Sequence, residues 1–188
     1  MATLATVPFV AAVNARTGPR TVSELAATAR TRRMTFGSAG NGSVNHLLGE
    51  MFNTASGAKM QHVPYKGASQ STLDLISGRI DAQIDGISTA VALHNAGKTR
   101  IMASMGAERS IIPDGVQTFV EAGYPQLVAY ANFSVMAPAG TPEPVIRKLH
   151  TAIVAALAVP RSAAPKAIRH TPGTSANRPA SQLSKASK

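Results

Sequence analysis

The chain has no cysteine and no tryptophan, and aromatic residues make up only 4% of its 188 positions. Without cysteine there is no disulfide, no thiolate nucleophile and no thiolate metal site, and the redox compartment stays undecided. Long apolar runs are missing as well: nothing approaches the roughly 18 to 20 uninterrupted apolar residues of a membrane-spanning helix. The opening, MATLATVPFVAAVNAR, carries about a dozen fairly apolar residues, but no basic residue precedes them and Pro8 interrupts the run, which argues against a signal peptide. What is present is 44% hydrophobic content, enough for a packed core in one domain or two small ones.

Acidic residues are also scarce, nine against nineteen lysines and arginines, for a net charge of +10. Such a balance invites a nucleic-acid reading, but the excess is not spread over the chain. Residues 161–188 hold six basic residues and no acid, whereas residues 1–160 hold thirteen basic and nine acidic ones. The tail contains three prolines and only Ile168 and Leu183 as large aliphatics, too little apolar surface to offset its ordering entropy, so it is expected to be disordered. It has no aromatic side chain for base stacking. A solvated basic tail without a specific nucleic-acid partner is the expectation.

Strand-length and helix-length patterns alternate through the first 160 residues. PFVAAVNA, MTFGS, KMQHVPYK, RIDAQID, TRIMASM and LVAYANFSVMAPAG read as strands. In RIDAQID, Ile80, Ala82 and Ile84 fall on one face and Asp81, Gln83 and Asp85 on the other. Helices are expected between them. Thr21 is an N-cap with Glu24 placed as in a capping box. Ser43 caps a second helix whose Val44, Leu47, Leu48, Met51 and Phe52 form one core-facing apolar stripe, with Gly57 as its stop. SQSTLDLISG and STAVALHNAG follow, then a short helix near Gln117 to Ala122. The last, TPEPVIRKLHTAIVAALA, has Thr141 as N-cap and Pro142 at its first position. Repeated βα units imply an α/β fold with a mainly parallel, helix-flanked sheet, in which ligands sit at the carboxyl ends of the strands.

GSAGNGS, residues 37–43, lies at such an end. Its glycines permit φ > 0 and close backbone approach, and the loop feeds a helix N-terminus, an arrangement suited to an anion. Gly37 to Gly42 has P-loop spacing, but Ser43 stands where the phosphate-binding lysine belongs, and GxGxxG fails because Gly42 is followed by Ser-Val-Asn. What remains is a backbone cradle with the Ser38 and Ser43 hydroxyls, adequate for a carboxylate; a turn serving only tight packing stays open. No GxSxG elbow surrounds either serine. The five histidines stand singly at 46, 62, 94, 150 and 170, and none has HExxH spacing. Asp81 and Asp85 are roughly 13 Å apart along a strand, too far for a shared proton. Asp85, beside Gly86, is placed to receive a ligand hydroxyl or amine, or to cap a helix.

GSAGNGSVNHLLGEMF, HVPYKG, DLISGRIDAQIDGISTAV, AGKTRIMA, FVEAGYP and APAGTPEPVIRKLH occur in that order over about residues 7–159. The set resembles the tripartite tricarboxylate transporter substrate-binding receptors, also called Bug-type periplasmic solute receptors. The resemblance implies a periplasmic-binding-protein-like (type II) α/β fold that closes on a small carboxylated solute and presents it to a membrane permease. It implies a binding protein without catalytic residues, cofactor or metal. The matching positions are Ser38, Gly40, Asn41, Gly42 and Ser43 in the loop, Asp85 on a strand end facing the same cleft, and Tyr65 and Ser88.

The family pattern also implies lengths and borders. Residues 1–130 correspond to a complete second lobe, 131–160 to the return strand and helix of an incomplete first lobe, and 161–188 to the basic tail, where the family would continue differently. Family members run to roughly 300 residues and begin with an export signal, so location is periplasmic by resemblance and cytoplasmic for the chain as written. An unpartnered return helix would leave Val145, Ile146, Leu149, Ile153 and Leu157 exposed and favour association. One lobe alone would bind weakly, near millimolar, about 4 kcal/mol. Two other classes remain: a small α/β enzyme for a carboxylated or phosphorylated substrate, and a nucleic-acid binder acting through the tail.

Overall fold

The computed structural model describes residues 2–109 and 111–158. The tail expected to be disordered, 161–188, lies outside them. Tertiary contacts divide the described chain into two units: Val7–Ala131, and a smaller one formed by residues up to Thr6 together with those from Asn132 onward.

In the larger unit, β1 (Ala2–Asn14) contributes its C-terminal part to a sheet with β2 (Thr35–Ser38), β3 (Gln61–Pro64), β4 (Ala82–Gly86), β5 (Thr99–Ser104) and β6 (Gln117–Thr118), in the order β3-β2-β4-β1-β5-β6. The β2–β3, β2–β4 and β5–β6 pairs are parallel, and β1 alone runs antiparallel to both its neighbours, with Val10 opposite Asp85 and Ser104. Four helices join these strands: α1 (Val22–Thr31), α2 (Val44–Ser56), α3 (Ala68–Ser77) and α4 (Ile87–Asn95). No helix among the described residues is long and apolar enough to cross a membrane.

Both sheet faces are covered, and β1 shows how the pleat distributes its side chains. Phe9, Ala11 and Val13 pack with Leu25, Phe36 and Phe52 in one cluster, whereas Val10 packs with Ile87 and Ile101 in another. Two-sided burial changes the reading of β4. The strand begins at Ala82, so Ile80 joins Leu75 of α3 in a third cluster instead of sharing a face with Ala82 and Ile84. Gln83 is buried as well, its amide donating to the Ala68 carbonyl and the Thr72 hydroxyl.

Helix ends follow local chemistry. The Glu24 N–H donates to Thr21 Oγ1 at 3.1 Å, and the Glu24 carboxylate reaches back to the Arg20 N–H at 2.8 Å, one residue before the cap. Ser43 Oγ accepts from the His46 N–H at 3.3 Å. The apolar stripe of α2 is only half used: Leu48 and Phe52 are buried, but Val44, Leu47 and Met51 form an exposed row, because α2 rests on the sheet through a narrower line that includes Gly49. The short helix expected near Gln117 is instead β6 followed by turns, since Gln117 and Thr118 pair in parallel with Ala103 and Ser104.

In the smaller unit, the N-terminal residues of β1 lie beside β7 (Tyr130–Val135), with the Thr6 hydroxyl donating to Asn132 Oδ1 at 2.8 Å. Helix α5 (Glu143–Ala158) starts one residue later than expected: the Thr141 hydroxyl donates back to the Pro138 carbonyl, and the Pro142 carbonyl accepts the Ile146 N–H. Val145 and Leu149 are about half exposed, and a cavity of about 180 Å³ opens between α5 and residues 135–138.

Candidate functional site

Parallel pairing of β3, β2 and β4 puts three successive strand-to-helix junctions along one edge. Ser38 pairs with Pro64, and Gly37 with Gln83, so Tyr65, the 39–43 loop and Asp85 leave adjacent strands at the same end. Each junction starts a helix, α3, α2 and α4 respectively. None of the three carries an acidic residue in its first turn, and α3 and α4 have glycine N-caps without a side-chain bond. Three positive dipole ends therefore share one edge of the sheet, with Asp85, next to the Gly86 N-cap of α4, as the acidic side chain among them.

The loop is built around the Gly40 carbonyl. It accepts from Ser38 Oγ at 3.0 Å, Ser43 Oγ at 2.7 Å and the Ser43 N–H at 3.2 Å. That carbonyl is thus occupied, and its lone pairs are withdrawn from any anion at the loop. Gly40 has φ +125°, and a Cβ there would lie 3.3 Å from the Tyr65 carbonyl. Both facts demand glycine. Gly42, at φ +73°, faces open space.

Ser38 is buried, and its hydroxyl also meets the Gly40 N–H at 3.0 Å and His62 Nε2 at 2.6 Å. It braces the loop from within. Ser43 divides its hydroxyl between the Gly40 carbonyl and the helix cap. Among the described residues, the loop and first-turn N–H groups of Asn41, Val44 and Asn45 have no acceptor in the protein. Those donors, with the exposed Asn41 side chain, are what the loop offers outward.

Asp85 is half-buried, and its carboxylate accepts from the Gly86 N–H at 2.7 Å. Burial pushes its carboxyl above the usual range, partly offset by that hydrogen bond. Among the described residues no basic side chain forms an ion pair with it. Tyr65 approaches the loop with its backbone, its N–H donating to the Ser38 carbonyl at 3.1 Å, but its hydroxyl turns to Asp74 of α3 at 2.9 Å. Burial and that bond push the phenol up to about 12. Ser88 is exposed on the first turn of α4 and makes no hydrogen bond with the loop. Asp81, at the other end of β4, pairs with Arg32 at 2.7 Å, so the two aspartates form no dyad.

Three residues that local sequence patterns do not single out belong to this edge. The Asn45 amide donates to the Ile84 carbonyl at 2.6 Å, tying the start of α2 to the strand that carries Asp85. His46 and His62, sixteen positions apart in sequence, stack with ring centroids 3.8 Å apart. Burial first, then His46 alongside, holds the His62 imidazole below its ordinary value, with Glu50 pulling the other way. No group of three or more metal-ligating side chains gathers among the described residues.

The sequence model of the tripartite tricarboxylate transporter family receptors matches residues 1–176. The chain belongs to that family. Protein BugT of Bordetella pertussis is 33% identical over 153 residues, 80% of this chain and 47% of its own. Among solved structures, Rpa4515 of R. palustris, solved with adipate, is 33% identical with a TM-score of 0.76 over 82% of this chain and 52% of that one. MatC from Rhodopseudomonas palustris, solved with bound malate, is 29% identical with a TM-score of 0.74, over 84% and 54%. The α/β receptor fold is therefore as the resemblance implied, and this chain spans about half the length of the relatives it matches.

Proposed function

We propose that this chain is part of a periplasmic solute receptor, a binding protein and not an enzyme, that holds a small carboxylated solute for uptake through a membrane permease. The observation that carries the reading is the shared edge of β3, β2 and β4: three helix N-termini without acidic first turns, and free N–H groups at Asn41, Val44 and Asn45. A carboxylate supplies the acceptors that the free N–H groups at the start of α2 lack. Gly40, Gly42, Ser38 and Ser43 shape the loop, and Asn41 with the start of α2 meets the ligand. Asp85, on the neighbouring strand end, receives a hydroxyl or other donor of the same solute, and Tyr65 and Ser88 border the site. The adipate and malate of the two relatives support the chemical class. In this reading the larger unit is the second lobe of the receptor, and β7 with α5 are returning elements of the first.

The reading is tested by a thermal-shift screen of the full chain against mono-, di- and tricarboxylates, with Gly42→Asp as control. Aspartate tolerates the left-handed backbone and has room there, so the variant places a negative charge in the cradle without a clash. Stabilisation by one class of acid, lost in Gly42→Asp, is expected. Equal stabilisation of both proteins, or none with any acid, would overturn the proposal.

A further inference from the structure

The two stacked histidines lie directly under the loop. In the parallel β2–β3 pair, Phe36 stands opposite His62, and α2 brings His46 over His62 with the ring planes 17° apart. The Phe36 ring lies against both imidazoles, at 6.4 and 5.1 Å between centroids. Two hydrogen bonds leave this column for opposite ends of the turn. His62 Nε2 meets Ser38 Oγ at 2.6 Å, and the Gly42 N–H donates to His46 Nδ1 at 3.1 Å. Accepting at Nδ1 requires that His46 carry its proton on Nε2, which lies 3.9 Å from Glu50. With these bonds and the ones to Gly40, every backbone N–H from Gly40 to Ser43 is committed inside the protein except that of Asn41.

We propose that His46 and His62 are positioning residues for the anion site: stacked together, they clamp Ser38 and Gly42, fix the span of the turn, and so leave the N–H groups of Asn41, Val44 and Asn45 aimed outward. The inference rests on the carboxylate-binding reading for its purpose, but the clamp itself is a property of the protein alone. It separates two kinds of donor within one loop. The Gly42 N–H belongs to the clamp and stays with His46 when a solute binds, while the Asn41 N–H belongs to the solute.

The test follows the Gly42 amide in the full chain by nitrogen-15 NMR, first without solute and then with malate, in wild type, His46→Ala and His46→Asn. Asparagine places an acceptor oxygen where Nδ1 stands, so it rescues the hydrogen bond without the ring. We expect His46→Ala to speed Gly42 amide exchange and to weaken malate binding, each by about tenfold, the worth of one hydrogen bond. His46→Asn returns both to within about threefold of wild type. Unchanged exchange and affinity in His46→Ala, or failure of His46→Asn to restore either at an unchanged melting temperature, would overturn the clamp. A Gly42 amide released from His46 on adding malate would overturn it too. If wild type binds none of the acids of the carboxylate screen, the carboxylate reading fails while Gly42 exchange still decides the clamp. Should His46→Ala not fold, His62→Gln, which keeps a donor for Ser38 Oγ, against His62→Leu makes the same comparison.

Discussion

Gly49→Ala sets two effects of opposite sign against each other at the point where α2 meets the sheet. Gly49 sits inside the helix, where replacing glycine by alanine is worth about 1 kcal/mol of propensity. Yet a Cβ at this position would stand 2.1 Å from Phe36 Cε2 and 2.6 Å from Cδ2 and Cζ, when ordinary contact begins near 3.4 Å. Phe36 cannot retreat: it is fully buried, and the two imidazoles lie against it. The helix must lift by about an ångström, and overpacking of this size costs about 3 kcal/mol, at the upper end of the usual range. Contact outweighs propensity, for a net loss of about 2 kcal/mol, or roughly 4 to 8 °C in melting temperature for a unit of this size. Urea titration followed by circular dichroism reads the difference directly. A variant stabilised by about 1 kcal/mol, as propensity alone would give, would refute the packing of α2 onto Phe36.

Three further outcomes follow from the same geometry. Because burial raises the folded-state carboxyl of Asp85, its contribution to stability is full below the unfolded value of 3.8 and is lost as pH rises through the folded value. Asp85→Asn should therefore melt higher than wild type at neutral pH, with the gap closing toward pH 4; a lower melting temperature at neutral pH would mean an undetected partner. His62 is shifted downward from 6.5, so the unfolded chain binds the proton more readily. Wild-type stability should fall as pH drops below about 6.5, and His62→Gln should flatten that slope; an unchanged slope would clear His62. Thr21→Ala removes the acceptor of the Glu24 N–H and should cost about 1 kcal/mol in the same urea titration, whereas no loss would mean that the cap contributes nothing.

What could be read from the sequence was local. Caps at Thr21 and Ser43, the left-handed glycine stop at Gly57 and, apart from the helix expected near Gln117, the alternation of strand and helix patterns need only neighbouring residues to be recognised, and they occur where expected. The loop at 37–43 was visible for the same reason. What local pattern cannot encode is register between distant strands. The antiparallel insertion of β1 between β4 and β5, which brings Ala12 into one cluster with Leu75 and Ile80, depends on pairings about seventy to ninety residues apart. His46 and His62 look solitary until β2 and β3 pair and the first turn of α2 folds over them. The α2 stripe misled because periodicity gives the direction of an apolar face but not its width; Gly49 draws the contact toward Leu48 and Phe52 and leaves Leu47 and Met51 outside.

Under the proposed function, the common edge of β3, β2 and β4 recognises carboxylate charge. The most direct measurement is a nitrogen-15 NMR titration of the full chain with malate and, in parallel, with its uncharged diamide of the same length. Malate is expected to move the Asn41, Val44 and Asn45 amide resonances in a saturable way, and the diamide to leave them in place. Equal shifts with both compounds, or malate shifts confined to residues away from this edge, would contradict it.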